Sequence, residues 1–499
     1  MSSPPAGPHE THEAYEPGQN PRRWKALAVC LVAGFMSLLD ISIVNVALPS
    51  IQTGLGASDS ALQWVLSGYA LTFGLALVPA GRLGDARSRR TVFMTGVALF
   101  TLTSAAAGAA QHEWWLVVAR LVQGVAGGVM MPQVSGFVQQ LFTGAERGRA
   151  FGLLGAVIAL STAVGPLLGG VLIQAFGPEQ GWRWVFYVNL PIGLAALPLA
   201  RRLLPAHPPI AKPAAELRRR GSDPVGTLLL GSAVLLILLP FLQERLWPGW
   251  QKWLLEPAGV LLILVFVWWE RRAARGIEPL VHMDLFRRRS YALGTLLSLL
   301  YFAGFTAIFF TYTLFLQNGL RYSALLAGVA SVPFALGSAL SAAVGGRLVL
   351  RFGRAMVACG LLMVTAGLLG TMLAVHQVPG EQAGWAAAGP LLLAGLGSGL
   401  VITPNQTLTL SQVPVIRAGS AGGVLQTGQR IGGAAGIATV GAVFFARLAS
   451  SGGDWAASFQ LGMLMSTAFV LVALLVALYD LFGPGSARYG RVGRSTMQA

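Results

Sequence analysis

Charged residues are scarce in this sequence. Asp, Glu, Lys and Arg make up 11% of 499 residues, where soluble domains carry about 25%. With 54% hydrophobic residues and a mean hydropathy of +0.64, the chain has too little polar surface for a large soluble domain. Lysine is nearly missing: Lys25, Lys212 and Lys252 are the three in the chain, and none follows a G-x-x-x-x-G motif. ATP hydrolysis through a phosphate-binding loop of that type is therefore excluded. The two cysteines, Cys30 and Cys359, lie in apolar runs and give no disulfide framework. The six histidines lack metal-ligand spacing on a common helix face, which argues against zinc chemistry and a histidine relay. Acids are outnumbered, 19 against 35 bases, for a net charge of +16. In a soluble protein that excess would suggest nucleic acid. Here the bases sit between apolar runs, and no nucleic-acid partner is expected.

Long apolar runs fill the rest. Fourteen can be read, at 24–48, 61–81, 91–110, 114–142, 150–176, 184–204, 225–243, 253–269, 291–316, 324–346, 355–375, 385–410, 418–446 and 455–482. Each is long enough to cross a bilayer as a helix, which takes roughly 20 residues. The 13 tryptophans fall near the ends of these runs, at the headgroup level that an amphipathic ring prefers. Lys and Arg alternate with the loops: 28 of the 35 fall on the side shared by both termini, five on the other side, and Arg120 and Arg430 within runs. Positive charge is retained on the cytoplasmic side, so both termini are expected there, in a multi-pass protein of the plasma membrane. The polar start of the chain and the length of its first run point to a retained anchor, not a cleaved signal peptide.

The sequence also repeats itself. GRLGDARSRR from Gly81 returns as GRLVLRFGR from Gly346, an offset of 265, and Arg149-Ala150, Gly155 and Gly165 return as Arg417-Ala418, Gly423 and Gly433, an offset of 268. The expected plan is an all-α membrane protein of two six-helix halves around a central path, a recurring transporter design. It divides into a cytoplasmic tail (1–23), an N-terminal half (24–204), a basic linker (205–222), two additional helices (223–270), a second basic linker (271–289), a C-terminal half (290–482) and a tail (483–499). The plainer alternative for the two loops is that they are positive-inside anchors.

A charge at a helix centre costs about 2.5 to 3.5 kcal/mol on insertion scales, so each one calls for a reason. Asp40 is the one acid well inside a run; Asp223, Glu256, Glu270 and Asp480 lie at ends, within reach of water. Counted from their outer ends, Asp40 and Arg120 lie at depths of roughly 13 and 9 Å, close enough to meet. They form either a carboxyl that gains and loses a proton beside a stabilising arginine or a static ion pair that fixes packing. Arg430 has no matching acid in its own half and is open to a structural or a substrate-contacting role. In the fifth run, Ser161, Gly165 and Gly169 recur every four residues, with Pro166 and Gly170 beside them. Such a face admits close helix packing, and the proline favours a bend, which suits either a seal between halves or ordinary packing. Gly81, Asp85, Arg89 and Arg90 suit a latch at helix ends, with Glu146 as a partner for one of the arginines. Asn45, Gln123, Asn189, Gln426 and Arg430 are among the polar residues within runs that suit a cavity for lipophilic ligands or bonds between helices.

These motifs resemble the major facilitator superfamily, and within it the fourteen-helix branch of drug:proton antiporters. LLDISIVNVALP (38–49) is similar to that branch's first-helix signature, ARLVQGVAGG (119–128) to its fourth-helix motif, STAVGPLLGG (161–170) to the antiporter motif and GWRWVFYVNLPIG (181–193) to a further hallmark. The resemblance runs from Trp24 to about Phe482. Departures are Ala86 and Ser88 where the loop motif usually has Arg and Gly, Leu350 in place of its Asp in the second copy, and Ser161 where the antiporter motif begins with Gly. The resemblance implies a monomeric, proton-driven exporter of lipophilic drugs or antibiotics, without cofactor, metal or ATP. Asp40 and Arg120 would carry the proton coupling. No extra membrane acids for dicationic drugs are seen. Rival readings are a dedicated exporter of one natural product, and a receptor or scaffold that binds without flux. An enzyme is not expected, because no nucleophile, metal set or acid pair stands within the runs.

Overall fold

The computed structural model describes residues 22–483, except 178, 207–222, 243–246, 248 and 274–278. Among the described residues the chain is helical, with no strand. The helices are α1 (Arg23–Leu55), α2 (Asp59–Ala86), α3 (Arg89–Gly108), α4 (Glu113–Leu141), α5 (Gly144–Phe176), α6 (Asn189–Leu203), α7 (Pro224–Leu242), α8 (Leu255–Ala273), α9 (Arg289–Leu314), α10 (Ala324–Phe352), α11 (Arg354–Gln377), α12 (Ala388–Leu410), α13 (Ala418–Ser450) and α14 (Trp455–Phe482). A short helix, Gly181–Tyr187, leads into α6 and another, Ala383–Ala386, into α12. Helix is what lipid demands, since it satisfies every backbone donor and acceptor within one segment. Thirteen of these spans are apolar enough to cross a membrane by composition. The fourteenth is α12, 23 residues without a charged side chain, whose lower hydropathy comes from Gly, Pro, Thr, Asn and Gln.

All fourteen expected runs therefore appear as helices, several of them longer than expected. Helix α1 passes through Pro49 to a left-handed Gly56, which places Asp40 near its middle. Ser58, Ser323 and Asp454 cap α2, α10 and α14 with side-chain oxygens that accept from Ala61, Leu326 and Ala457 N. Of the expected tails (1–23 and 483–499), residues 1–21 and 484–499 lie outside the described residues, as do 207–222 of the first basic linker and 274–278 of the second.

Helices α1–α6 pack among themselves, as do α9–α14, and two seams join the groups: α2 against α13, and α5 against α10. Under the repeat these seams are counterparts, because α2 answers to α10 and α5 to α13. The additional pair, α7 and α8, packs on itself and lies against α2 and α13. At one end of the bundle, carrying the arginine-rich turns and called here the basic end, the repeated glycines make both seams. A Cβ on Gly81 would fall 2.3 Å from Gly419 O, and one on Gly346 2.4 Å from Gly148 O. Only glycine admits backbones this close.

Candidate functional site

Asp40, Arg120 and their neighbours form a closed polar cluster inside the N-terminal half. Asp40 is 0% and Arg120 1% exposed. Arg120 Nη1 donates to Asp40 Oδ2 at 2.5 Å and to Gln123 Oε1 at 2.8 Å, while its Nε donates to Val65 O at 3.1 Å. Asp40 Oδ1 accepts from Gln123 Nε2 and Asn189 Nδ2, both at 3.1 Å. Those two amides also donate to Ser104 Oγ, at 2.8 and 2.9 Å. Side chains from α1, α4 and α6 thus meet at one carboxylate, and Ser104 of α3 braces the two amides. Both carboxylate oxygens are occupied, as an ionised acid in an apolar interior requires. The guanidinium of Arg120 lies over the Tyr69 ring, 4.2 Å from its centroid, an arrangement favourable to a buried cation.

The expected pair therefore exists, with partners that the sequence did not assign. Gln123, expected in a substrate cavity, is committed to Asp40. Asn189 reaches the acid because α6 starts afresh after Val188. Ser104 stands in an alanine-rich run and carried no signal. Arg430 lies on α13, its guanidinium 4.5 Å from the ring centroid of Phe73 on α2; Phe73 in turn stacks on Tyr69 at 6.0 Å. A ladder of rings and guanidinium groups thus runs from the Asp40 cluster across the α2–α13 seam.

At the basic end, Asp85 reaches into the other half. Its Oδ1 accepts from Gly419 N at 2.9 Å and its Oδ2 from Ser420 N at 2.8 Å, at the start of α13. This caps a helix N-terminus with a carboxylate, the charge its dipole favours. Arg89 Nη2 binds Asp85 at 2.8 Å and also the carbonyl of Val415, while Nη1 donates to Gln140 Oε1 at 3.0 Å. Arg90 bonds within its own half, to the carbonyls of Arg201 and Leu204. Glu146 corrects the expectation: it pairs at 2.8 Å with Arg23 of α1, not with an arginine of the loop.

The second loop copy holds differently. Arg354, the counterpart of Arg89, donates to Asn405 Oδ1 at 2.6 Å, and Asn405 is the counterpart of Gln140 at the same offset of 265. Its acid comes from α14 instead, with Arg354 Nε 2.6 Å from Asp480 Oδ2. Leu350 stands in place of the crossing carboxylate, and the bonds of Arg354 to Asn405, Ser290 and Asp480 lie within its half. Asp480 was expected within reach of water and is instead buried.

The small-residue face of α5 packs inside its own half as well. A Cβ on Gly165 would meet Ser42 Oγ at 1.9 Å and one on Gly169 Ile43 Cγ1 at 3.0 Å, and Ser42 donates to Ser161 O at 2.9 Å. That face seats α5 on α1. Pro166 and Gly170 face the other half, near Gly328 and Leu325 of α10. Asn45 is exposed and returns a bond to Ile41 O. Gln426 donates to Ser135 Oγ of α4 at 3.3 Å, a bond between halves. Between α5, α9, α10 and α12 lies a small apolar recess lined by Ile158, Thr162, Phe305, Phe309, Phe334 and Ser338 among others. Its phenylalanines, with Phe309 and Phe334 edge to face at 5.0 Å, were not singled out in the sequence, because nothing along the chain distinguishes them from core.

The profile of the Major Facilitator Superfamily matches residues 30–437. The chain belongs to this superfamily, and it is a multi-pass transporter of the plasma membrane, not an enzyme. It is 36% identical over 454 residues to the probable actinorhodin transporter of Streptomyces coelicolor, covering 90% of this chain and 77% of that one. It is 34% identical over 482 residues to the cephamycin export protein CmcT of Amycolatopsis lactamdurans, covering 94% and 96%. Among solved structures, the human organic anion transporter MFSD10 superposes with a TM-score of 0.67 at 17% identity, over 92% of this chain and 100% of that one. At that identity the likeness concerns the fold.

Proposed function

We propose that this transporter is a proton-coupled antiporter that exports lipophilic small molecules by alternating access, with both termini in the cytoplasm. The observation that carries the reading is the buried Asp40–Arg120 pair, made by the one acid well inside a span among the described residues. A proton on Asp40 removes the charge that Arg120, Gln123 and Asn189 all answer. The bonds that tie α1 to α4 and α6 then weaken together. Helix α1 is seated on α5 through Ser42 and the glycine face, and α5 lies on α10, so protonation is felt at a seam between halves. The Asp85 cap on α13 holds the basic end closed, and its release would open the path to the cytoplasm. Phe305, Phe309 and Phe334 offer an apolar, aromatic wall of the kind that would line a path for lipophilic ligands once the halves part. Protons and the small molecule are the only partners the cycle needs. The proton gradient is its energy source, no cofactor takes part, and one chain suffices.

A narrower reading, export of one natural product, is favoured by relatives named for single antibiotics. Transport of a panel of dyes and antibiotics by proteoliposomes tests both, with and without a proton gradient. Gradient-dependent movement of many compounds supports the broad reading, and movement of one supports the narrow one. Binding without flux across the panel would leave a receptor.

A further inference from the structure

Two carboxyl groups meet at the basic end of α7 and α8, in a place the mechanism above does not use. Asp223, just before α7, and Glu270, near the end of α8, were expected within reach of water, yet they are 4% and 1% exposed. Asp223 has donors on both oxygens: Gly226 N donates to its Oδ1 at 2.8 Å, and Trp269 Nε1 faces both oxygens at 3.1 and 3.0 Å. Glu270 is not held in this way. Its Oε2 accepts from Val281 N at 3.3 Å, but its Oε1 has no hydrogen-bond partner among the described residues. That bare oxygen lies near Asp223. A Cβ on Gly226 would lie 2.4 Å from Asp223 Oδ2 and 2.8 Å from Glu270 Oε1, so the two oxygens are within about 5 Å, the range at which like charges disfavour one another.

The other charged groups near the pair come from every element packed on it. Arg82 of α2 is the cation whose field reaches Glu270. A cleft at the basic end is lined by Glu270, Arg271, His282, Asp284, Arg287 and Arg417, of which Arg417 and Asp284 pair with each other at 3.0 Å. No cation among the described residues makes an ion pair with Glu270. An ionised Glu270 would leave an unsatisfied buried oxygen near a second negative charge, a combination that burial makes costly.

We infer that Asp223 and Glu270 form a second proton-binding site, with one proton on Glu270 Oε1 directed at Asp223 Oδ2. The proton comes from hydronium in the adjoining cleft: an O–H bond forms on Oε1, water is left, and no other reactant is required. The protonated pair holds Leu280 and Val281 in place. Glu270 accepts from Val281 N, and Leu280 and Val281 pack with Val78 of α2 and Phe266 of α8. The site thereby ties the additional helices to the α2–α13 seam. This inference does not depend on Asp40 coupling, and loss of transport in an Asp40 variant would leave it intact.

The test is infrared difference spectroscopy of the full chain in lipid between about pH 6 and about pH 9, a window in which ordinary carboxyls are already ionised. The Asp40→Asn protein, in which the coupling carboxyl cannot contribute, should lose one protonated-carboxyl carbonyl band, sensitive to deuterium exchange, as the pH rises, and the wild type should show the same band. Glu270→Gln, a neutral mimic of the protonated form that should fold, should lack the band when added to Asp40→Asn. His282→Asn should keep it, since an imidazole has no carbonyl stretch. Asp223→Asn removes the opposing charge and should move the band's titration to lower pH. Absence of the band in the wild type or in Asp40→Asn, or its survival when Glu270→Gln is added to Asp40→Asn, would overturn the assignment.

Discussion

At the scale of single residues, the Asp40 cluster shows why a buried charge pair is tested by neutral replacement and not by deletion. Asp40 answers three donors on two helices, so removing it strands Arg120 in an apolar interior, a loss on the order of 3 to 5 kcal/mol. Asp40→Asn keeps the shape and mimics the protonated carboxyl, which likewise leaves Arg120 without its counter-charge. Ligand binding in detergent should survive, and uphill export driven by a pH gradient should vanish; full gradient-driven export by this variant would end the mechanism. Glu146 belongs to another category. Its bond to Arg23 is partly exposed, and such pairs contribute about 1 kcal/mol or less. Glu146→Gln should therefore leave expression, thermal stability and efflux near wild-type levels, whereas its expected role as a latch partner would have made it costly.

At the scale of helices, the two copies of the loop motif have the same fold and different tasks. The copy at Gly81 sends Asp85 across to cap α13, and the copy at Gly346 binds Asp480 within its own half. The α2–α13 seam is thus closed by a charge-assisted cap as well as by glycine packing, while the α5–α10 seam relies at this end on the close approach of Gly148 and Gly346. Asp85→Asn should weaken bonds to two backbone N–H groups, a cost of about 1 to 3 kcal/mol. The expected result is greater thiol labelling of a Ser420→Cys probe and slower turnover, with ligand affinity changed only a few fold. Gly81→Ala should act in the same direction by a different cause. Its Cβ would stand 2.3 Å from Gly419 O, and overpacking of this kind costs about 1 to 3 kcal/mol. Unchanged labelling in both variants would show that the seam does not gate access.

At the scale of the whole molecule, topology and energetics can be checked together. Single cysteines in the turns at 87–88 and 282–288 should resist an impermeant thiol reagent in intact cells, and labelling of either from outside would remove or add a crossing. The proposed coupling through one carboxyl would fix the thermodynamics. Each pH unit supplies about 1.4 kcal/mol per proton, and about 100 mV supplies about 2.3 kcal/mol per net charge moved. Export of a neutral compound for one proton should respond to both, and export of a monovalent cation to pH alone. Uptake into inverted vesicles, with pH and voltage clamped separately, distinguishes the two.

The sequence by itself determined what depends on spacing along one helix or on composition. Fourteen apolar runs separated by basic turns dictate fourteen helices, since lipid permits few other arrangements, and the cost of buried charge singles out Asp40 and Arg120 wherever the helices pack. The offset of 265 gave the two halves, because duplicated helices keep their glycines where backbones touch. Only the tertiary structure decided which neighbours those residues meet. Asn189 reaches Asp40, and Ser104 joins through Asn189 and Gln123, by rotations and a helix break at Val188 that no one-dimensional pattern encodes. The glycine face of α5 seats it on α1, although its spacing fits a seal between halves equally well. Asp223 and Glu270, placed by their position near helix ends within reach of water, are buried, Asp223 against Trp269 and Glu270 against Val281. The physical reason is common to all three: periodicity fixes the face of a helix on which a side chain lies, while the partner on that face is set by how separate helices rotate and slide to fill space.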